Sequence, residues 1–120
     1  MRIVSFEEFL KLPRGTVFAL YEPEVIGDIR IKVGNFSDWD YQYDPLDMLE
    51  AGLGIPDLGD LHRDGGDVPL DFNYTSREGS TVMDKGQLFA VWSKVDVRAF
   101  ITRLEESLQE VERDVQDNAT

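Results

Sequence analysis

Residues 28–44 read DIRIKVGNFSDWDYQYD, and the way this stretch pairs decides the fold. Asp28 to Val33 alternates strictly, so Ile29, Ile31 and Val33 are expected to face a core while Asp28, Arg30 and Lys32 face out. Gly34-Asn35 then supplies a two-residue hairpin signal. The return strand sets Trp39, Tyr41 and Tyr43 on one side and Asp38, Asp40, Gln42 and Asp44 on the other. Rings are expected on the core side and carboxylates on the outer side, where Arg30 and Lys32 could pair with some of them across the hairpin.

Other strands and helices follow outward from that hairpin. Ser5 and Glu8 form a capping box, which predicts a short helix from about Phe6 to Leu12, stopped by Pro13. Thr16–Tyr21 and Gln87–Trp92 are apolar on both parities and read as interior strands. Asp44 and Pro45 suit the start of a helical turn over 45–50, and Leu70, Phe72 and Tyr74 alternate with Asp71 and Asn73 as a further strand. Residues 52–69 form a long Gly- and Pro-rich acidic loop, a kind of segment that is commonly functional.

Ser93 and Asp96 mark the start of a long helix over about 94–116. Its Val97, Ile101, Leu104, Leu108, Val111 and Val115 recur at spacings of 4, 3, 4, 3 and 4. The first half is expected to cover the sheet. The second half, with Leu108, Val111 and Val115, either packs on its own domain or projects as a seam for another helix, in the simplest case that of a homodimer. The fold class is therefore α+β: one domain over 1–120, an antiparallel or mixed sheet of four to five strands, and a short N-terminal and a long C-terminal helix packed on one face.

The 120 residues carry 24 acidic and 12 basic side chains, a net charge of −12. Residues 1–37 are balanced and residues 85–120 have a net charge of −2. Residues 38–84 hold twelve acids against Arg63 and Arg77, a net −10. Direct binding to nucleic acid or an anionic membrane is disfavoured by that charge, and a basic protein surface is its complement. No apolar run approaches the roughly 20 residues of a membrane span, and Glu7 and Glu8 interrupt the N-terminal apolar stretch where a signal peptide has none. Cysteine is absent, which excludes disulfides and thiolate chemistry. A cytoplasmic setting is expected.

Chemistry is sparse. His62 is the only histidine, beside Asp60 and Asp64, with no nucleophile to complete a catalytic set. Asp60, His62, Asp64, Gly65 and Asp71 fall on a calcium-loop frame, but His at position 3, Asp67 at position 8 and the short Asp at position 12 depart from it. Neither a catalytic activity nor a cofactor is expected. The acidic row offers more. Alternate strand residues lie roughly 7 Å apart, a spacing of the same order as successive phosphates, so Asp38, Asp40 and Asp44 could imitate a nucleic-acid strand. Asp57, Asp60, Asp64 and Asp67 would extend that row, and Tyr43 would anchor the contact.

The opening Glu7-Glu8-Phe9, Leu12-Pro13, Gly15-Thr16, Phe18 and Tyr21-Glu22-Pro23, followed by Gln87–Trp92, resembles small accessory proteins of bacteriophages and prophages. The resemblance covers about half the chain and carries fold determinants only. It implies a phage setting, where small acidic proteins often inhibit host defences such as CRISPR–Cas complexes. The leading expectation is an acidic inhibitor of a basic, nucleic-acid-binding host surface, acting by mimicry. The alternative is an assembly or virion-associated protein that self-associates through the C-terminal helix.

Overall fold

The computed structural model describes residues 1–37, 40–47, 63, 65, 69–77 and 86–119, with side chains up to Asp114. Strands β4 (Arg30–Ser37) and β5 (Asp40–Pro45) form the longest antiparallel ladder among them. The turn expected at Gly34-Asn35 is not a turn. Both residues lie within β4, opposite Gln42 and Tyr41, with register shifts between Lys32 and Gly34 and between Asn35 and Ser37. Glycine here marks a bulge that lets the strand continue, and the connection falls on residues 38–39, outside the described residues.

This pairing also corrects the expected faces of β4. Lys32 lies opposite Tyr43 and Arg30 opposite Pro45, whereas Ile31 lies opposite Asp44. The two cations thus share the face of the tyrosines, and the Arg30 guanidinium sits 4.3 Å above the Tyr43 ring. Among the described residues, then, Arg30 and Lys32 stand across from Pro45 and Tyr43 and not from Asp40 or Asp44. Lys32 turns inward because the end of a helix waits there for its donors.

That helix is α1 (Phe6–Leu10). The Ser5 hydroxyl caps it by accepting from the Glu8 N–H at 3.2 Å. At its other end the buried Lys32 ammonium donates to the carbonyls of Phe9 (2.9 Å), Leu10 (3.1 Å) and Leu12 (2.8 Å). Asn35 Nδ2 adds a second donor to Leu10 at 2.8 Å. Carbonyls at a helix C-terminus have no partners within the helix and carry its negative pole, so an ammonium with three donors suits them.

Around α1 the strands run in the order β1-β7-β2-β4-β5-β6, with β3 paired to β2, and every pairing is antiparallel. The strands not yet placed are β1 (Arg2–Val4), β2 (Val17–Glu22), β3 (Val25–Ile26), β6 (Ser76–Arg77) and β7 (Leu88–Val91). Phe9 from α1 stacks on Phe89 at 4.1 Å between centroids and meets Phe18 at 4.6 Å and Tyr41 edge-on at 4.9 Å. With Phe6, Val4 and Val91 these rings form the core. Each such aromatic pair contributes about 0.5–1.5 kcal/mol beyond the area it buries.

The α+β architecture is as expected, with more strands. Two further local expectations fail. Asp44 and Pro45 end β5 and Leu46–Asp47 bend, so no helix starts there. Leu70, Phe72 and Tyr74 are exposed, and the strand in this region is instead the two-residue β6, which pairs with Gln42 and Tyr43 of β5.

The long helix α2 (Lys94–Ala119) starts in a reciprocal capping box. Ser93 Oγ accepts from the Asp96 N–H (3.1 Å) while Asp96 Oδ2 accepts from the Ser93 N–H (2.9 Å). Asp96 Oδ2 also accepts from the Met1 α-ammonium at 2.6 Å, and Phe100 meets Trp92 edge-on at 5.3 Å. These ties hold the first two turns to the sheet. At about 1.5 Å per residue the helix is roughly 39 Å long, and its apolar Ile101, Leu104, Leu108 and Val111 are exposed. The short helix, not the first half of the long one, covers the sheet.

Candidate interaction surfaces

Two surfaces came out of the sequence as candidates: the acidic strand with its loop, and the seam of α2. In β5 the alternation holds. Tyr41 is buried and Tyr43 half-buried on the core face, while Asp40 and Asp44 take the opposite face. That face is not a free row of carboxylates. Asp40 is 0% exposed, and its Oδ2 lies 3.1 Å from Arg77 Nε on the neighbouring β6. Arg77 in turn stands 4.2 Å over the Phe36 ring. Asp44 Oδ1 accepts from the Thr75 hydroxyl at 2.7 Å. Both side chains are structural partners of the edge strand, and Tyr43 is engaged with Phe18, Tyr41 and Arg30. Burial and the Arg77 contact take Asp40 out of a free contact row, whereas Tyr43 and Asp44 are half-buried and keep part of their surface exposed. Asp38, Asp57, Asp60, His62, Asp64 and Asp67 lie outside the described residues. Of the calcium-loop frame, Gly65 and Asp71 are described, and Asp71 Oδ1 accepts from the Asn73 N–H at 2.9 Å in an Asx turn.

The seam is on the surface. Ile101, Leu104, Leu108 and Val111 are 49%, 53%, 60% and 58% exposed. They follow one another at the a and d positions of a heptad, so they line one side of the helix. The side chain of Val115 is outside the described set. Val97, the first seam position, is half-buried where α2 leaves the body.

A third surface was missed in the sequence. Between the body and the first turn of α2 lies a cavity of about 510 Å³, walled by Trp92 and Val97 and carrying Arg2, Arg14, Lys94 and Arg98. These four cations come from three separate segments, so no run of sequence announces them. None of them makes an ion pair or a side-chain hydrogen bond among the described residues. Lys94 and Arg98 are four apart on one helix, a repulsive spacing for like charges, and they stand at its positive end. A site of four unneutralised cations in a chain of net charge −12 is suited to an anion.

Asp96 and Lys32, among the described residues, have shifted ionisation. Hydrogen bonding from the Met1 ammonium, and then from Ser93, holds the Asp96 carboxyl down at about 2. Burial lowers Lys32 from the ordinary lysine value. No helix among the described residues is long and apolar enough to cross a membrane. Neither a known family, nor a curated protein, nor a solved structure matches this chain.

Proposed function

We propose that the chain is a non-enzymatic interaction protein that assembles through α2, whose seam pairs with the same helix of a second copy. The observation that carries this reading is the exposure of Ile101, Leu104, Leu108 and Val111 as one stripe running past the body. The heptad spacing suits a second helix better than a sheet or a loop. Covering the remaining exposed area of each side chain is worth roughly 1 kcal/mol, so eight of them contribute about 8 kcal/mol. Association costs about 4–15 kcal/mol, so the seam alone sustains only weak pairing. Sedimentation of the full chain over a wide concentration range tests the reading. A mass rising toward twice 13.7 kDa is expected, and Leu108→Glu should return it to the monomer. A monomer at every concentration overturns it.

A second reading is supported by the net −10 of residues 38–84. In it, the chain is a phage-type inhibitor in the host cytoplasm that occupies a basic, nucleic-acid-binding surface of a defence complex such as CRISPR–Cas. With Asp40 buried against Arg77 and Asp44 hydrogen-bonded to Thr75, its contact rests chiefly on Asp38 and on the loop acids Asp57, Asp60, Asp64 and Asp67. Displacement of labelled DNA from a purified complex tests it. Competition should weaken steeply with salt and with Asp→Asn changes at those five positions. Competition that is indifferent to both excludes mimicry.

A further inference from the structure

The charge along α2 is polarised against the helix that bears it. Residues 94–103 have a net charge of +2 and residues 104–119 a net −5. Acids crowd toward the negative end of the helix dipole with no basic side chain in the last turn, which is the unfavourable arrangement there. At the other end Asp96 caps the helix and is taken up by Ser93 and the Met1 ammonium, while Arg2, Arg14, Lys94 and Arg98 share one cavity without an ion pair among the described residues.

We infer that the second copy runs antiparallel along α2, and that this cationic cavity receives the acidic end of the partner's helix. The inference rests on the self-association reading and adds its orientation and its second contact. With a two-fold axis at residue 106, Leu104 packs on the partner's Leu108 and Ile101 on the partner's Val111. Each of these four exposed residues then finds an apolar mate in the a-against-d layers of an antiparallel pair. Val97 is at once the first seam position and a wall of the cavity, so the seam leads into it. The partner's chain beyond residue 111 arrives there with Glu112 and Asp114.

Flanking charges select the same orientation. Antiparallel pairing sets Arg98 near the partner's Glu112, and by symmetry does so twice, against a single like-charge approach of Glu105 to its own copy at the axis. Parallel pairing sets Ser107 and Phe100 beside Glu112 and Glu105, with no opposite charges in contact, and brings two basic ends and two acidic ends together. Flanking e and g positions commonly set the orientation of paired helices, and like charges brought together suppress the wrong arrangement.

The absence of native cysteine makes a direct test simple. Under mild oxidation Val111→Cys alone should give little cross-linked dimer, because the two thiols lie far apart on opposite sides of the axis. A mixture of Ile101→Cys and Val111→Cys chains should give the mixed disulfide. Arg98→Glu and Glu112→Arg should each weaken the dimer about tenfold or more, and the two together should restore it to within about threefold. All four positions are exposed, and circular dichroism confirms that each variant folds. Efficient homodimeric cross-linking of Val111→Cys in a chain that still sediments as a dimer overturns the orientation while leaving self-association intact. A dimer indifferent to both charge reversals, with a cavity that binds inorganic phosphate, gives the site to a small anion and overturns the second contact. A monomer throughout removes both readings.

Discussion

Lys32 Nζ lies 2.8 Å from the carbonyl oxygen of Leu12, 20 residues earlier in the chain. The same ammonium takes the carbonyls of Phe9 and Leu10, so all three of its protons go to the end of α1. At 1% exposure it is one of the most buried side chains described. It holds in place the helix that brings Phe9 onto Phe18, Tyr41 and Phe89.

Replacing Lys32 by Met should therefore cost about 2–4 kcal/mol, since the buried Phe9 carbonyl and the part-buried Leu12 carbonyl lose this donor and Leu10 keeps only Asn35, while the volume is kept. Urea unfolding followed by tyrosine and tryptophan fluorescence measures it. The pH dependence has a definite sign. Burial holds the folded lysine below its ordinary value of 10.5, so the unfolded chain binds this proton more tightly. The group's contribution to stability should rise with pH through the window below 10.5, and Lys32→Met should remove that rise.

The Ser5 cap, the capping box at Ser93, the interior strands and the long helix were legible because each is written in local pattern. The inward turn of Lys32 was not. Alternation fixes which residues share a face but not which face is covered, and the deciding partner is a helix end 20 residues away. Gly34-Asn35 misled in the same way, since glycine serves a bulge as well as a turn. Asp40 looked like a surface acid because its cation, Arg77, joins it only through sheet pairing. The seam of α2 was visible as a stripe, but its exposure depended on α1 taking the sheet face first.

Asp96 supplies an acid-sensitive tie between the first residue and the start of α2. Its folded pKa of about 2 lies below the ordinary 3.8. The stability it contributes is complete above about pH 4 and is lost as pH falls through about 2. In Asp96→Asn the stability curve should flatten over that window, and helical circular dichroism at acid pH should change less than in the parent. An unaltered acid profile in the variant would place the sensitivity elsewhere.

Asp40 and Arg77 should behave as a stability pair. Arg77→Met strips the cation from a carboxylate that is 0% exposed and should cost about 2–3 kcal/mol, discounted from a fully buried pair because Arg77 is half in solvent. Asp40→Lys should be worse than either loss alone, for it sets two cations in one buried spot. Loss of partner binding in Asp40→Lys would thus report unfolding, and denaturant titration of the same sample separates the two.

Glu24 holds a φ of 72°, in the two-residue connection where Tyr21 pairs with Ile26 and Glu22 with Val25. Pro23 before it suits the first central position of a type II turn, whose second position favours glycine. Glu24→Gly should raise stability by about 0.5–1 kcal/mol, since release of left-handed strain outweighs the added freedom of the unfolded chain. Thermal unfolding of the variant reads this as a higher midpoint, and a lower one would mean that the glutamate side chain has a contact worth more than its strain.

The body and the distal half of α2 should separate in their effects on stability. Phe9 is fully buried at the centre of the ring cluster, and Phe9→Ala should cost about 3–5 kcal/mol. Ending the chain after Ser107 removes Leu108 and Val111, which are more than half exposed and lie beyond the ties of Trp92 with Phe100 and of Met1 with Asp96. At a concentration low enough to keep both chains monomeric, the shortened form should unfold within about 0.5 kcal/mol of the full one, the range for surface changes. At high concentration only the full chain should gain stability, because pairing favours the folded state by mass action. A shortened chain that is markedly weaker even when dilute would mean that the distal helix already packs against its own body in solution, and the seam would have no face left to offer.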